Sequence, residues 1–338
     1  MARKKTRRVG RVFLVIGLLL SMTTGSALAY VKYTSDSMLA LMNYDKSGSI
    51  SGLDLSQYQL DSDTDVVNVL LVGADKNNDE QNQNVERRSD SMMIATLDVK
   101  HSKLKITSLM RDMYVEIPGY GGNKLNAAYS YGGIKLLYKT LAQNFGIKMD
   151  GYVEVNFDAF VNVIDQLGGI EVNLTKSEAS NLRTTNYIKR KKYRNVKVGK
   201  QTFNGYQALG YCRIRHGKRL PNGRYPGVYT ASGKGDDYGR TERQRLTIQA
   251  ILKKVKQQSA QELISLAEVL MPNVKTDIPK EKIYSYLMTV IQMGTTKLNQ
   301  YSIPVEGTFT SQSIQGQQCL VPDLTTNRMA LKKFIFKS

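Results

Sequence analysis

The sequence predicts a layered α/β fold, and three observations carry that reading. The run Val67-Asn68-Val69-Leu70-Leu71-Val72-Gly73 has the apolar density of a buried strand. Strand and helix periodicities then alternate, the pattern of a sheet with helices laid on it. Gly146 and the pair Gly168-Gly169 stop the intervening helices before the next strand begins.

The elements follow in order. Residues 92–97 and 104–110 are two further strands. Residues 126–143 space Ala127, Tyr131, Ile134, Leu137 and Leu141 for one helix face. A strand at 152–156, a short helix at 157–167 and a strand at 170–174 come next. Residues 175–204 and 217–239, rich in Gly, Asn, Tyr and Lys, predict loops. Between them, Tyr211-Cys212-Arg213-Ile214-Arg215 alternates as an extended segment would. Residues 240–258 predict a helix whose inner face carries Leu246, Ile248, Ile251, Leu252 and Val255. Helices near 261–271 and 279–293, a strand, and a closing helix near 326–336 complete the chain.

The chain has 338 residues, enough for a substantial core, and a formal charge of +19. The excess sits in two places. Residues 1–11 hold six positive charges and residues 183–224 hold thirteen, with no acids in either; the remainder balances at 29 basic and 29 acidic residues. The first block precedes twenty uncharged residues, 12–31, which as a helix span about 30 Å, a bilayer's hydrocarbon thickness. The positive-inside bias then predicts a cytoplasmic basic tail at 1–11 and a transmembrane anchor at 12–31. Everything after it lies outside, in a single-pass protein of the cell membrane. A cleaved signal peptide ending near Ala27-Leu28-Ala29 is the alternative, and it exports the same body.

Polar residues 32–65 read as an extracellular stalk. Within it residues 43–54 echo a calcium loop, but the intruding Lys46 and a final Asp54 in place of Glu favour a turn. The catalytic core is expected at 66–256, with 257–338 completing the same domain.

Cys212 and Cys319 are the only cysteines. Export would permit a pair, while the apolar setting of Cys212 favours a buried free thiol. No Cys/His spacing points to zinc, and no nucleophile elbow or Walker pattern appears. No recognition motif accompanies the basic excess, so nucleic acid is not expected as a partner. Lys189-Arg190-Lys191-Lys192 reads as a solvated surface attracted to anionic lipid or polymer.

Polar groups gather where elements end. Gly73-Ala74-Asp75 closes the first strand, Arg87-Arg88-Ser89-Asp90 precedes the second, and Arg111-Asp112 follows the third. Asn123-Lys124-Leu125-Asn126 opens the long helix. Arg213 and Arg215 share a face if their segment is extended. Arg240, Arg243 and Gln244, spaced i, i+3, i+4, share a face near a helix start, where free N–H groups and the dipole favour phosphate. Strand ends of an open α/β sheet are where ligands bind, and so many cations there need a common anion. Asp75 and Asp90, with no His or Cys nearby, suit a hard cation such as Mg²⁺.

These blocks resemble the LytR–CpsA–Psr family of Gram-positive cell-wall enzymes over about residues 67–254. The blocks Asn68-Val69-Leu70-Leu71-Val72-Gly73-Ala74-Asp75, Arg88-Ser89-Asp90, Arg111-Asp112 and Lys124-Leu125-Asn126-Ala127-Ala128-Tyr129 carry the first half of the resemblance. Tyr152-Val153-Glu154-Val155-Asn156-Phe157, Gln207-Ala208-Leu209-Gly210-Tyr211, Arg213-Ile214-Arg215 and Asp237-Tyr238-Gly239-Arg240 with Arg243-Gln244 carry the second. The resemblance implies a three-layer α/β/α sandwich with a central mixed sheet and an apolar lipid-binding groove. It also implies transfer of a glycopolymer, such as teichoic acid or capsule, from undecaprenyl pyrophosphate to a muramic acid hydroxyl of peptidoglycan. By that resemblance Asp75 and Asp90 hold Mg²⁺, or Mn²⁺ in its place. Arg88, Arg111, Lys124, Arg213, Arg215, Arg240, Arg243 and Gln244 would hold the pyrophosphate.

Arg111 and Arg240 would stabilise transition-state charge, and Asp237 would orient or deprotonate the acceptor hydroxyl. A pyrophosphate hydrolase and a membrane-tethered, non-catalytic polymer-binding or attenuator protein are the alternatives. Lys76 and Met110, where the family commonly has Arg and Pro, and the long loop 217–235 depart from its pattern.

Overall fold

Seven strands pair into one mixed sheet. The computed structural model describes residues 43–45, 49–50, 52–74, 89–259, 262, 266, 272, 274–295 and 297–337. In chain order the strands are β1 (Asn43–Tyr44), β2 (Val66–Ala74), β3 (Ser89–Asp98), β4 (Lys103–Leu109), β5 (Tyr114–Ile117) and β6 (Gly121–Lys124). They continue as β7 (Gly151–Asn156), β8 (Ile170–Leu174), β9 (Gly199–Phe203), β10 (Val274–Thr276), β11 (Leu298–Ile303), β12 (Phe309–Ile314) and β13 (Gln317–Pro322). The sheet runs β1-β10-β7-β2-β3-β4-β11, parallel at β1/β10, β7/β2 and β4/β11 and antiparallel elsewhere. Among the described residues three two-stranded pairs, β5–β6, β8–β9 and β12–β13, lie outside it.

The helices are α1 (Leu125–Phe145), α2 (Phe157–Gln166), α3 (Lys176–Thr184), α4 (Gly205–Arg213), α5 (Asp236–Val255), α6 (Lys280–Gln292) and α7 (Leu324–Phe336). Alternation along the strands decides what each sheet face carries. Leu70 and Val72 of β2, Met92 and Ile94 of β3 and Tyr152 of β7 are buried in one core with Leu137 and Leu141 of α1 and Leu331 and Ile335 of α7. The intervening residues Leu71, Met93 and Val153 turn to the other face, where α2, α4 and α5 stand. Helices on both faces of a mixed sheet make the expected α/β/α layering. A second core forms beneath the β8–β9 pair, where Ile170, Leu182, Phe203, Tyr211 and Ile214 meet.

Four expectations are corrected. Of the anticipated stalk, the described residues from Asn43 to Asp65 belong to the domain: β1 pairs with β10, Ile50 enters the core and Asp61 bridges to Ile147. The anticipated loop 175–204 contains α3 and β9. Thr175 opens α3 with a capping box, its hydroxyl accepting from the Glu178 N–H while the Glu178 carboxylate accepts from the Thr175 N–H, an arrangement worth about 1 kcal/mol. Residues 211–213, anticipated as extended, close helix α4, which Asn204 and Gln207 cap in the same way. Helix α5 begins at Asp236 rather than Arg240, which puts Asp236 and Asp237 in its first turn.

The expected anchor at 12–31 lies outside the described residues. Among the described residues no helix is long and apolar enough to cross a membrane.

Candidate functional site

Between the second sheet face and the helices above it lies a cleft of ≈ 540 Å³. Leu71, Met93, Val153 and Val155 form its sheet wall, and Phe157, Phe160 and Leu209 come from α2 and α4. The third wall is one stripe of α5. Arg240, Gln244, Ile248 and Ile251 all line the cleft, at spacings that keep them on one side of a helix. The stripe is therefore polar at its start and apolar further on. Arg111, Arg213 and Arg215 line the cleft as well. The resulting chamber is apolar within and cationic at one side.

Two carboxylates set the cations in place. Asp112 accepts from Lys124 Nζ through Oδ1 and from Arg215 Nη2 through Oδ2, each at 2.9 Å, and Arg111 Nε lies 3.9 Å from Oδ2. Asp237 takes the Arg240 guanidinium across both oxygens, at 2.9 and 3.0 Å, and Arg215 Nε stands 3.5 Å from its Oδ1. Arg215 thus joins the two acids. Burial opposes the charge on Asp112, but the Lys124 hydrogen bond and the charges of Arg215, Lys124 and Arg111 outweigh it. Its pKa falls below the usual aspartate value. Arg111, Lys124, Arg213, Arg215 and Arg240 carry five positive charges against two on Asp112 and Asp237. The surplus suits a polyvalent anion.

Local sequence explains how two of these arginines converge. Arg213 ends α4, Ile214 leaves the helix with ψ 124° and buries its side chain, and Arg215 follows beyond the helix end. The pair reaches one cleft across a helix terminus rather than along a strand. Arg213 also lies over the Phe157 ring, 5.6 Å from its centroid. Gln244 accepts from Ser91 Oγ at 3.3 Å, tying the helix stripe to β3.

Arg243 corrects the sequence reading. It is fully buried and does not line the cleft. Its Nε donates to Glu178 at 2.8 Å, Nη1 to the Ile214 carbonyl at 3.1 Å and Nη2 to the Val228 carbonyl at 2.8 Å. It therefore braces the segment that presents Arg213 and Arg215 instead of meeting an anion. Gly239 makes room for it, since a Cβ there would stand 2.7 Å from the Lys234 carbonyl oxygen and 3.1 Å from Arg243 Nη1.

Asp237, expected beside an acceptor hydroxyl, faces two guanidinium groups, Arg240 at 2.9 Å and Arg215 at 3.5 Å. Asp75 and Arg88 lie outside the described residues. Asp90 follows Ser89, which pairs with Ala74 across a bulge.

Two residues carry weight that the sequence reading did not assign. Asp112 was visible only as the neighbour of Arg111, and Glu178 only as the fourth residue of a capping signature, Thr175-x-x-Glu178. Cys212 and Cys319 are both free and buried. Burial pushes the Cys212 thiol up to about 12, so it is inert at the edge of the cleft.

The site is an apolar chamber lined at one side by arginines on an α/β/α frame, a shape and charge that suit an amphiphile with an anionic head. The LytR_cpsA_psr family model matches residues 28–333, and the chain belongs to that family. It is 31% identical over 273 residues to the regulatory protein MsrR of Staphylococcus aureus (strain Mu50 / ATCC 700699), covering 80% of this chain and 74% of MsrR. It is 29% identical over 283 residues to the polyisoprenyl-teichoic acid–peptidoglycan teichoic acid transferase TagU of Bacillus mycoides (strain KBAB4), covering 81% of each. Among solved structures it shares its fold with the LytR-CPS2A-psr family protein YwtF (TagT) with bound octaprenyl pyrophosphate lipid. That likeness has a TM-score of 0.59 and 21% identity, over 87% of this chain and 98% of that one.

Proposed function

We propose that the protein moves a glycopolymer from an undecaprenyl-pyrophosphate carrier to peptidoglycan, forming a phosphodiester to a muramic acid hydroxyl. One observation carries this reading: the ≈ 540 Å³ chamber passes from apolar walls to a cluster of arginines along a single helix stripe. A polyprenyl pyrophosphate has the same order of parts. The likeness to the teichoic acid transferase TagU and to TagT with bound octaprenyl pyrophosphate lipid supports the choice of substrate class.

In this reading Leu71, Val153, Phe160 and Ile251 enclose the lipid tail, and Arg111, Arg213, Arg215 and Arg240 hold the pyrophosphate. The acceptor hydroxyl oxygen bonds to the phosphorus next to the sugar, while the bond from that phosphorus to the bridging oxygen breaks. Undecaprenyl phosphate leaves with the electron pair, and the hydroxyl proton passes to solvent. Arg111 and Arg240, already oriented by the cluster, stabilise the charge that grows on the phosphate oxygens. Asp75 and Asp90 are the residues that would hold Mg²⁺, or Mn²⁺ in its place. Two carboxylates offer oxygen donors of the kind such a cation takes, and Asp112 and Asp237 are already paired with cations. When bound, that ion supplies positive charge against the phosphate oxygens. Residues 12–31 would anchor the chain so that this chemistry takes place on the outer face of the cell membrane.

The test supplies the full chain with lipid-linked glycopolymer and peptidoglycan and separates wall-bound from released polymer. Wall-bound product is expected, reduced about 10²-fold or more in Arg111→Ala. Free polymer alone identifies a hydrolase instead. Intact biological activity after Asp75→Asn with Asp90→Asn identifies a non-catalytic protein.

A further inference from the structure

The β5–β6 turn and the first turns of α1 together carry an aromatic surface that neither the fold nor the proposed transfer uses. The rings of Tyr120 and Tyr131 stack with centroids 4.8 Å apart and planes at 20°, yet they are 57% and 40% exposed. Rings left in water present apolar area that a ligand could cover with a gain in free energy.

The pair is held in place. Asn123 Nδ2 donates to the Tyr131 hydroxyl at 2.9 Å, and the Tyr120 N–H donates to the Ile117 carbonyl at 2.9 Å. Tyr120 stands in the turn between the two strands, flanked by Gly119 and Gly121 at φ 79° and 72°. Only glycine enters that region of backbone space without strain, so the turn is shaped to lift one ring outward. Tyr114 backs the hairpin, its ring packed where Gly122 has no side chain.

Position is a second, independent observation. Strand β6 leads from the turn to Lys124, whose Nζ bonds Asp112 in the cationic cluster. Tyr120 lies about 13 Å of extended chain from Lys124. The aromatic surface therefore adjoins the anion site.

A pyranose ring has a face of C–H groups and an edge of hydroxyl and amide groups. The stacked tyrosines match the face, while the tyrosine hydroxyls and the Asn123 amide match the edge. We infer that Tyr120, Tyr131 and Asn123 form a saccharide-stacking subsite beside the cationic cluster. It takes a sugar ring from either the acceptor glycan or the glycopolymer. Which glycan it serves rests on the transfer proposed above; that it binds one does not.

The experiment titrates the full chain in nanodiscs with three probes. They are muramidase-solubilised peptidoglycan fragments, poly(ribitol phosphate) bearing N-acetylglucosamine, and inorganic pyrophosphate. Tyr120→Ala and Tyr131→Ala should each weaken at least one glycan by about tenfold or more, as truncated aromatic contacts do. Tyr120→Phe should stay near wild type, and pyrophosphate affinity should not change in any variant. Loss with the fragments assigns the subsite to the acceptor, and loss with the polymer assigns it to the donor. Unchanged affinity for both glycans in the two alanine variants overturns the inference, as does an equal loss of pyrophosphate. If transfer fails while tyrosine-dependent glycan binding persists, the proposed reaction falls and the subsite stands.

Discussion

Arg243 Nε lies 2.8 Å from Glu178 Oε1, with the arginine 0% and the glutamate 1% exposed. Glu178 also caps α3 through its other oxygen, so one carboxylate starts one helix and fixes another. Removing either partner strands a buried charge. Arg243→Met or Glu178→Gln should lose about 3–5 kcal/mol in urea unfolding, and Arg243→Met with Glu178→Leu should recover part of it.

Arg215 touches both site acids and should be the residue least replaceable by lysine. An ammonium group cannot span Asp112 and Asp237 with a planar fork. Arg215→Ala should reduce transfer by about 10²-fold. Arg215→Lys should restore lipid affinity more than turnover, which steady-state kinetics with lipid-linked substrate would separate.

Asp112 gives the site an acid limit. Its folded-state pKa lies below the usual value, so the unfolded chain takes up the proton first. The stabilisation is present above the unfolded value of about 3.9 and is lost as pH falls through the folded pKa. Asp112→Asn should lower thermal stability at neutral pH and shrink the loss on acidification below about pH 4. Parallel melting curves of the two proteins isolate this residue from the other acids.

Leu209 lines the apolar part of the cleft from α4 and is partly exposed. Leu209→Trp should fill space that a polyprenyl chain needs while leaving the arginines in place. Lipid-linked substrate should bind at least about tenfold more weakly, with inorganic pyrophosphate unchanged. The chain has no tryptophan of its own, so the new indole also reports on the cleft directly by fluorescence.

Much of the fold was legible because burial leaves a period in the chain. The continuous apolar run of β2 and the helical spacing before Gly146 survive in one dimension. Helix α3 was missed because its interior is polar, although its capping box stood in the sequence. Arg213 and Arg215 share the cleft without sharing a strand, since a helix end and a residue just beyond it can converge as well as two strand positions.

Arg243 shows the limit of spacing arguments. It is only about 60° around the helix from Arg240. That rotation turns it from the cleft toward the Ile214 and Val228 carbonyls, and no local pattern reveals which loop covers that side. Partner carboxylates are hidden for the same reason: Glu178 is 65 residues from Arg243 and Asp112 is 103 from Arg215.

The stripe on α5 from Arg240 through Gln244 to Ile248 and Ile251 has one more consequence. Under the proposed reading it would recognise a boundary, the point where a molecule changes from oil to salt. A helix graded in this way seats its ligand in a single direction, tail inward. Such a stripe would be indifferent to how far the tail continues and to what sugar hangs from the head. Variation in the cargo can then accumulate elsewhere on the surface without disturbing the grip.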